Sequence, residues 1–192
     1  MIGEWCYINK RFTPDFCKNV LDLGLSLPFQ AAALGVDGIG SKVDDTYRRS
    51  NIRFIEKQDQ RFEFLYDEMW KDVIGINDEW FNVHISKLDY IQLAEYTEQQ
   101  QGEYKRHHDV FWVNGDPKYH RKLTAVIQLS DPADYDGGDL QFFDVNESPN
   151  SEHIRNQGSI VFFPSFIHHG VSPVTRGTRH SLTLWFDGPK WK

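Results

Sequence analysis

From residue 81 to the C-terminus, β-forming and apolar residues recur with a period of two. The runs are Phe81, Val83 and Ile85, then residues 90–96, 123–129, 140–143, 160–163 and 181–186. Polar turns containing Asp116-Pro117, Gly137-Gly138 and Gly177 separate them, and no helical run intervenes. Such short strands are joined antiparallel, which predicts a sandwich or barrel and excludes an alternating α/β layout. With 192 residues, the chain has the size of one domain, and its 6 Trp, 8 Tyr and 14 Phe supply enough apolar bulk to close a core. We therefore expect a single domain over residues 1–192, with residues 1–79 as helical and loop support and residues 80–192 as the β core.

The first part of the chain reads differently. Thr13-Pro14-Asp15 is a helix start, since the hydroxyl can cap free N–H groups and Pro fits the first turn. Phe16, Val20, Leu21 and Leu23 supply the apolar stripe, and Gly24 and Pro28 are expected to end it. Residues 31–45, rich in Gly, Ala and Asp, read as a mobile surface loop. A strand is expected at 51–55 and a second helix at 58–74, whose stripe Phe62, Leu65, Met69, Trp70 and Val73 reads as core.

Several function classes are disfavoured by composition. A formal charge of −7 argues against a general nucleic-acid or anionic-membrane surface and leaves room for a local basic pocket. Two cysteines, Cys6 and Cys17, are too few for a disulfide framework and read as packed, reduced thiols. Residues 1–12 mix charged and aromatic residues, and the uncharged stretch 23–36 is short and broken by Gly24 and Pro28. No membrane partner and a cytoplasmic location are the expectations.

Chemistry gathers in two clusters, His107-His108-Asp109 and His168-His169, both at ends of predicted strands. On an extended backbone His107 and Asp109 share a side and His108 points away. Strands on opposite sides of a barrel are expected to bring a third ligand, from the second cluster, to the same centre. Two imidazoles and a carboxylate suit a non-haem Fe(II) centre, because they occupy one face of an octahedron and leave positions open for oxygen chemistry. Arg179 follows His169 by ten positions, and it is expected to return on the adjacent antiparallel strand facing the same interior, where its fork suits a dicarboxylate. Arg176 lies in the turn and is expected to be solvated.

In this half the sequence resembles the prolyl-hydroxylase-like branch of the 2-oxoglutarate- and Fe(II)-dependent oxygenases. Four ordered blocks carry the likeness. They are Gly102-Glu103-Tyr104-Lys105-Arg106-His107-His108-Asp109, the stretch 121–132 leading to Gly137-Gly138, the stretch 158–165, and His169-Gly170-Val171-Ser172-Pro173 with Gly177-Thr178-Arg179. The resemblance implies a mainly β (α+β) fold, a double-stranded β-helix or jelly roll with N-terminal supporting helices. It carries the metal ligands onto His107, Asp109 and His169, and the 2-oxoglutarate anchor onto Arg179. Tyr104 and Tyr96 become second-rank cosubstrate contacts, and no separate acid or base is assigned. Where relatives place a hydroxyl donor for the cosubstrate, this chain has Thr124 and Gln128. His180 should face away and be structural.

The implied reaction couples O₂ and 2-oxoglutarate to hydroxylation of a C–H bond, with succinate and CO₂ as coproducts and ascorbate as reductant. The implied substrate is a prolyl residue of a peptide or protein. Recognition is expected in the variable segments 31–45, 48–50, 111–120 and 144–156. The alternatives are a nucleic-acid or small-molecule oxygenase on the same scaffold and a non-catalytic metal-binding jelly-roll module.

Overall fold

Two antiparallel sheets account for the period-two pattern. The computed structural model describes residues 3–36, 40–112 and 115–192. In chain order the elements are β1 (Cys6–Ile8), α1 (Pro14–Leu25), β2 (Gln30–Ala31), β3 (Ala33–Val36), β4 (Gly40–Val43), β5 (Arg48–Arg49), β6 (Asn51–Glu56), α2 (Glu63–Ile76), β7 (Tyr90–Thr97) and β8 (Glu103–His107). They continue as β9 (Tyr119–Gln128), β10 (Tyr135–Gly137), β11 (Leu140–Phe143), α3 (Ser151–Arg155), β12 (Ile160–Pro164), β13 (His168–Val171) and β14 (Val174–Pro189). The large sheet runs β1-β12-β9-β14-β7-β6-β2, with β10 also on β14, and the small sheet runs β11-β13-β8-β5.

Alternation splits the large sheet into two chemistries. Leu123, Ala125 and Ile127 of β9, Leu182, Leu184 and Phe186 of β14, and Ile91 and Leu93 of β7 pack in one cluster with Val20 of α1 and Leu65, Met69 and Val73 of α2. The alternate residues Tyr90, Gln92, Tyr96, Val126, Arg179, Ser181, Thr183 and Trp185 line a cavity between the sheets. Both faces are thus buried, so the helices seal one side of the sheet and leave the other for chemistry.

α1 starts as expected, with Thr13 accepting a hydrogen bond from the Phe16 N–H at 3.2 Å. Gly24 does not end it. It lies in the last turn, where a Cβ would stand 2.7 Å from Leu93 Cδ2, so the glycine permits the helix to approach β7. The expected helix at 58–74 is a 3₁₀ turn, Gln60–Phe62, running into α2.

Three expectations need correction. Phe81, Val83 and Ile85 form no strand: Phe81 closes a π-helical turn after α2, and the Asn77 side chain bonds both the N–H and the C=O of Val83. The expected loop at 31–45 contains the β3–β4 hairpin, with residues 37–39 outside the described residues. Nor are residues 1–79 support alone. They supply β1, β2 and β6 to the large sheet and β5 to the small one. Cys6 and Cys17 are buried free thiols, and burial pushes them up to about 12 and about 11 respectively. No helix among the described residues is long and apolar enough to cross a membrane.

Candidate metal centre

β8 and β13 are hydrogen-bonded neighbours in the small sheet, and their register sets His107 directly opposite His169. The expectation of strands on opposite sides of a barrel is therefore corrected: the two histidines come from adjacent strands. Asp109 follows β8, and its backbone N–H donates to Ser165 O at 2.8 Å, which turns the carboxylate back toward the pair. His107 Nε2 lies 3.6 Å from Asp109 Oδ1, and His169 Nε2 lies 3.6 Å from Asp109 Oδ2. The donor atoms of all three residues fall within 4.8 Å of one another, the only such group of His, Cys, Asp or Glu among the described residues.

The histidines are oriented the same way. His107 Nδ1 donates to Lys105 O at 2.8 Å and His169 Nδ1 to Ile167 O at 3.0 Å. A carbonyl can only accept, so each Nδ1 carries a proton, and in the neutral ring the Nε2 lone pair is the one turned to the centre. Burial, and then the neighbouring His169, hold His107 down at about 3, so it stays neutral. For Asp109 burial works upward, but His169, His107 and Arg121 outweigh it and hold the carboxyl at about 2. Its Oδ2 accepts from Thr124 Oγ1 at 2.8 Å, and Thr124 in turn meets Ser165 Oγ at 2.9 Å. Two imidazoles with Nε2 turned inward and an ionised carboxylate, each held by a second partner, fit a divalent iron with open positions.

The remaining site residues fall around this group. Tyr104 stacks on His107, ring centroids 3.5 Å apart. His108 points away from the centre and packs against His168, which pairs with Asp144. Arg179 sits on β14 in the large sheet, which hydrogen-bonds to β7 and β9, so it faces the centre from the opposite sheet and not from a strand adjacent to β13. It is 2 % exposed, lies opposite Tyr96 in register, and holds its guanidinium carbon 5.5 Å from that ring. Its Nε donates to Gln128 Oε1 at 3.1 Å, while Nη1 is buried with no partner. An unpartnered donor of this kind calls for an anion.

Thr124 and Gln128 thus divide, one fastening Asp109 and the other Arg179. Tyr135, to which the sequence assigns no role, joins them by accepting from Gln128 Nε2 at 2.7 Å. Behind it, Gly138 has φ +64°, and a Cβ there would meet Arg179 Cδ at 3.0 Å. Arg155 of α3 braces this turn through Gly137 O and Tyr135 O, both at 2.7 Å. The segment 144–156 therefore supports the arginine end and supplies no wall of the cavity. His180 pairs with Glu95 at 3.2 Å, away from the centre, and Arg176 pairs with Asp136 at 2.7 Å on the surface.

The cavity has a volume of about 720 Å³ and reaches from Arg179 past the three donors to Phe111 and Trp112. Trp185 and Arg121 were not foreseen. Trp185 shares its strand face with Arg179, six positions earlier, so parity alone would have found it. A family model described as the 2OG-Fe(II) oxygenase superfamily matches residues 91–187. The chain belongs to that superfamily.

Among curated members, the PKHD-type hydroxylase YbiX of Escherichia coli and that of Shigella sonnei are each 35 % identical over 87 residues, 45 % of this chain. That alignment spans only 35 % of the relatives' own length. The fold is that of a prolyl-4-hydroxylase from Pseudomonas putida, with a TM-score of 0.73 and 21 % identity over 99 % of this chain and 94 % of that one. A Trichoplax adhaerens prolyl hydroxylase, solved with a hypoxia inducible factor degradation-domain peptide, superposes with a TM-score of 0.72 and 20 % identity over 96 % of this chain and 83 % of the other.

Proposed function

We propose that this member of the superfamily is an Fe(II)- and 2-oxoglutarate-dependent dioxygenase that hydroxylates a C–H bond, that of a prolyl residue in a peptide or protein. One observation carries the reading: His107, Asp109 and His169 present converging donors in the same cavity into which Arg179 holds a buried, unpartnered Nη1. A metal-binding module without turnover has no need of that second cation.

His107 Nε2, Asp109 and His169 Nε2 would hold the iron, and Arg179 the distal carboxylate of 2-oxoglutarate. Iron and cosubstrate together supply oxidative chemistry, with decarboxylation to succinate and CO₂ coupled to hydroxylation, and ascorbate serves as reductant. The chain itself binds, orients and excludes water. Val126, Leu140 and Val171 add apolar wall to the same cavity, which suits the methylene segment of the cosubstrate. Tyr96 and Tyr104 close its flanks, and burial keeps the Tyr104 hydroxyl protonated. Phe111, Tyr90 and Trp185 offer an aromatic enclosure on the far side of the donors, suited to a saturated ring. The fold neighbours that act on prolyl residues support the same substrate class.

The test is succinate formation from 2-oxoglutarate with Fe(II) and ascorbate, over a library of proline-containing peptides and free amino acids. Stimulation above the uncoupled rate by prolyl peptides is expected. Stimulation by non-prolyl compounds alone would reject the prolyl substrate, and no turnover under any condition would reject the enzyme.

A further inference from the structure

The cavity wall is far more basic than the molecule. The chain carries a formal −7, yet the charged residues lining the cavity are Arg48, Arg106, Arg121 and Arg179 against one carboxylate, Asp109. Arg106 is held by Asp144. Arg179 and Asp109 belong to the site described above, and a divalent metal cancels a dianionic cosubstrate. Two positive charges remain, those of Arg48 and Arg121.

Neither has a carboxylate within ion-pair distance among the described residues. Arg48 is 5 % exposed, lies 4.3 Å over the Tyr104 ring and donates from Nε to Ser50 Oγ at 2.9 Å. Arg121 lies 3.8 Å over the Trp185 ring and donates from Nη2 to Tyr90 Oη at 2.8 Å. Asp187 stands within electrostatic reach of Arg121, but its own ion pair is with Lys87 at 3.6 Å. Aromatic stacking and hydroxyl contacts offset part of the desolvation of a guanidinium and supply no negative charge. The two cations bracket the donors, Arg48 behind the Tyr104–His107 stack and Arg121 on the Asp109 side.

We infer that the primary substrate is an anion, bearing a carboxylate close to the carbon that is oxidised, and that Arg48 and Arg121 receive it. This deepens the oxygenase reading and rests on it. A free amino acid and an acidic residue beside the target in a peptide offer the same chemistry. A nucleic-acid backbone fits less well, because both cations are recessed in the cavity, while Arg106 is already tied to Asp144 and the molecule as a whole repels a polyanion.

The experiment is a titration of tryptophan fluorescence in the full chain, followed by stimulated 2-oxoglutarate turnover with the same probes. The probes are a pentapeptide with Glu on both sides of a central Pro and its Gln counterpart, the same pair with Ala for Pro, proline against prolinamide, and a thymidine oligonucleotide. At least one acid is expected to bind about 10- to 150-fold more tightly than its amide, the range of charge-assisted hydrogen bonds. Arg48→Gln or Arg121→Gln, checked for folding by circular dichroism, is expected to remove that preference. The wild-type comparison stands if either variant fails to fold. Acids and amides of equal affinity overturn the inference, as does an oligonucleotide that binds more tightly than every acid, or no response to any probe. Acid preference with Pro and Ala peptides alike keeps the anionic substrate and rejects the prolyl one. Pro preference with acid and amide alike does the reverse.

Discussion

The two faces of β14 share one backbone and one set of ladder partners, yet they do opposite work. Leu182, Leu184 and Phe186 are fully buried against the helix side. Arg179, Ser181, Thr183 and Trp185, interleaved with them, face the cavity. Burial alone does not separate these sets, since Arg179 and Ser181 are each only 2 % exposed. What separates them is satisfaction: the helix side is closed by apolar contact, while the cavity side keeps a buried polar group, Arg179 Nη1, without a partner. A sheet can therefore hold its stability on one face and its reactivity on the other, and substitutions should sort the same way.

The sharpest way to break this division is at the donors. His107→Ala, Asp109→Ala or His169→Ala should abolish iron-dependent 2-oxoglutarate turnover with little change in melting temperature of the metal-free protein, while His108→Ala should retain iron. Turnover like wild type in any of the three removes that residue from the set, and loss of iron in His108→Ala alone would move the site to the other histidine. On the opposite face, Leu65→Ala should cost about 2–5 kcal/mol in chemical denaturation through lost burial and a residual cavity. A cost under 1 kcal/mol would mean the helix layer is loosely packed.

Smaller effects test the supports. Arg179→Ala should raise the 2-oxoglutarate requirement roughly 10- to 150-fold, from loss of a charge-assisted contact, and an unchanged KM would remove it as the anchor. Thr124→Val keeps the shape and deletes the hydroxyl on Asp109, and iron affinity should fall about 10- to 100-fold. Equal iron titrations would show that Ser165 alone suffices. The mildest change is Glu95→Gln, on the face of β7 turned away from the cavity. Hydrogen bonds from His180 first and Asn51 second, with Arg53 nearby and burial opposing, hold Glu95 at about 2 against an ordinary 4.5. A depressed carboxyl stabilises the fold above its ordinary value and loses that contribution as pH falls from about 4.5 toward 2. The variant should therefore lose less stability than wild type on acidification across that window, and parallel curves would show the pair to be inert.

The same contrast explains what could be read in advance. Strands at 90–96, 140–143 and 160–163 were legible because their residues are apolar wherever they touch the core. β8 and β13 were not, since Glu103-Tyr104-Lys105-Arg106-His107 and His168-His169-Gly170-Val171 are spent on the site and carry no apolar alternation. Conversely Phe81, Val83 and Ile85 alternate without forming a strand, because the Asn77 side chain takes the backbone bonds of Val83 that a neighbouring strand would need. The centre was legible from the His-x-Asp parity together with the ordered blocks. Tyr135, Ser165 and Arg121 were hidden because each is an ordinary residue whose role depends on what folds beside it.

The donors also have a mechanical meaning. His107 and His169 belong to the small sheet, and Asp109 is fastened through Thr124 to β9 of the large one. An ion held by all three is a clasp across the sandwich, and a clasp that engages only the closed form must tighten it. Each tenfold excess of metal over its dissociation constant then adds about 1.4 kcal/mol against unfolding. Protease resistance of the β core should rise with metal occupancy before any substrate is present, so that the same contact readies the site and preserves the fold.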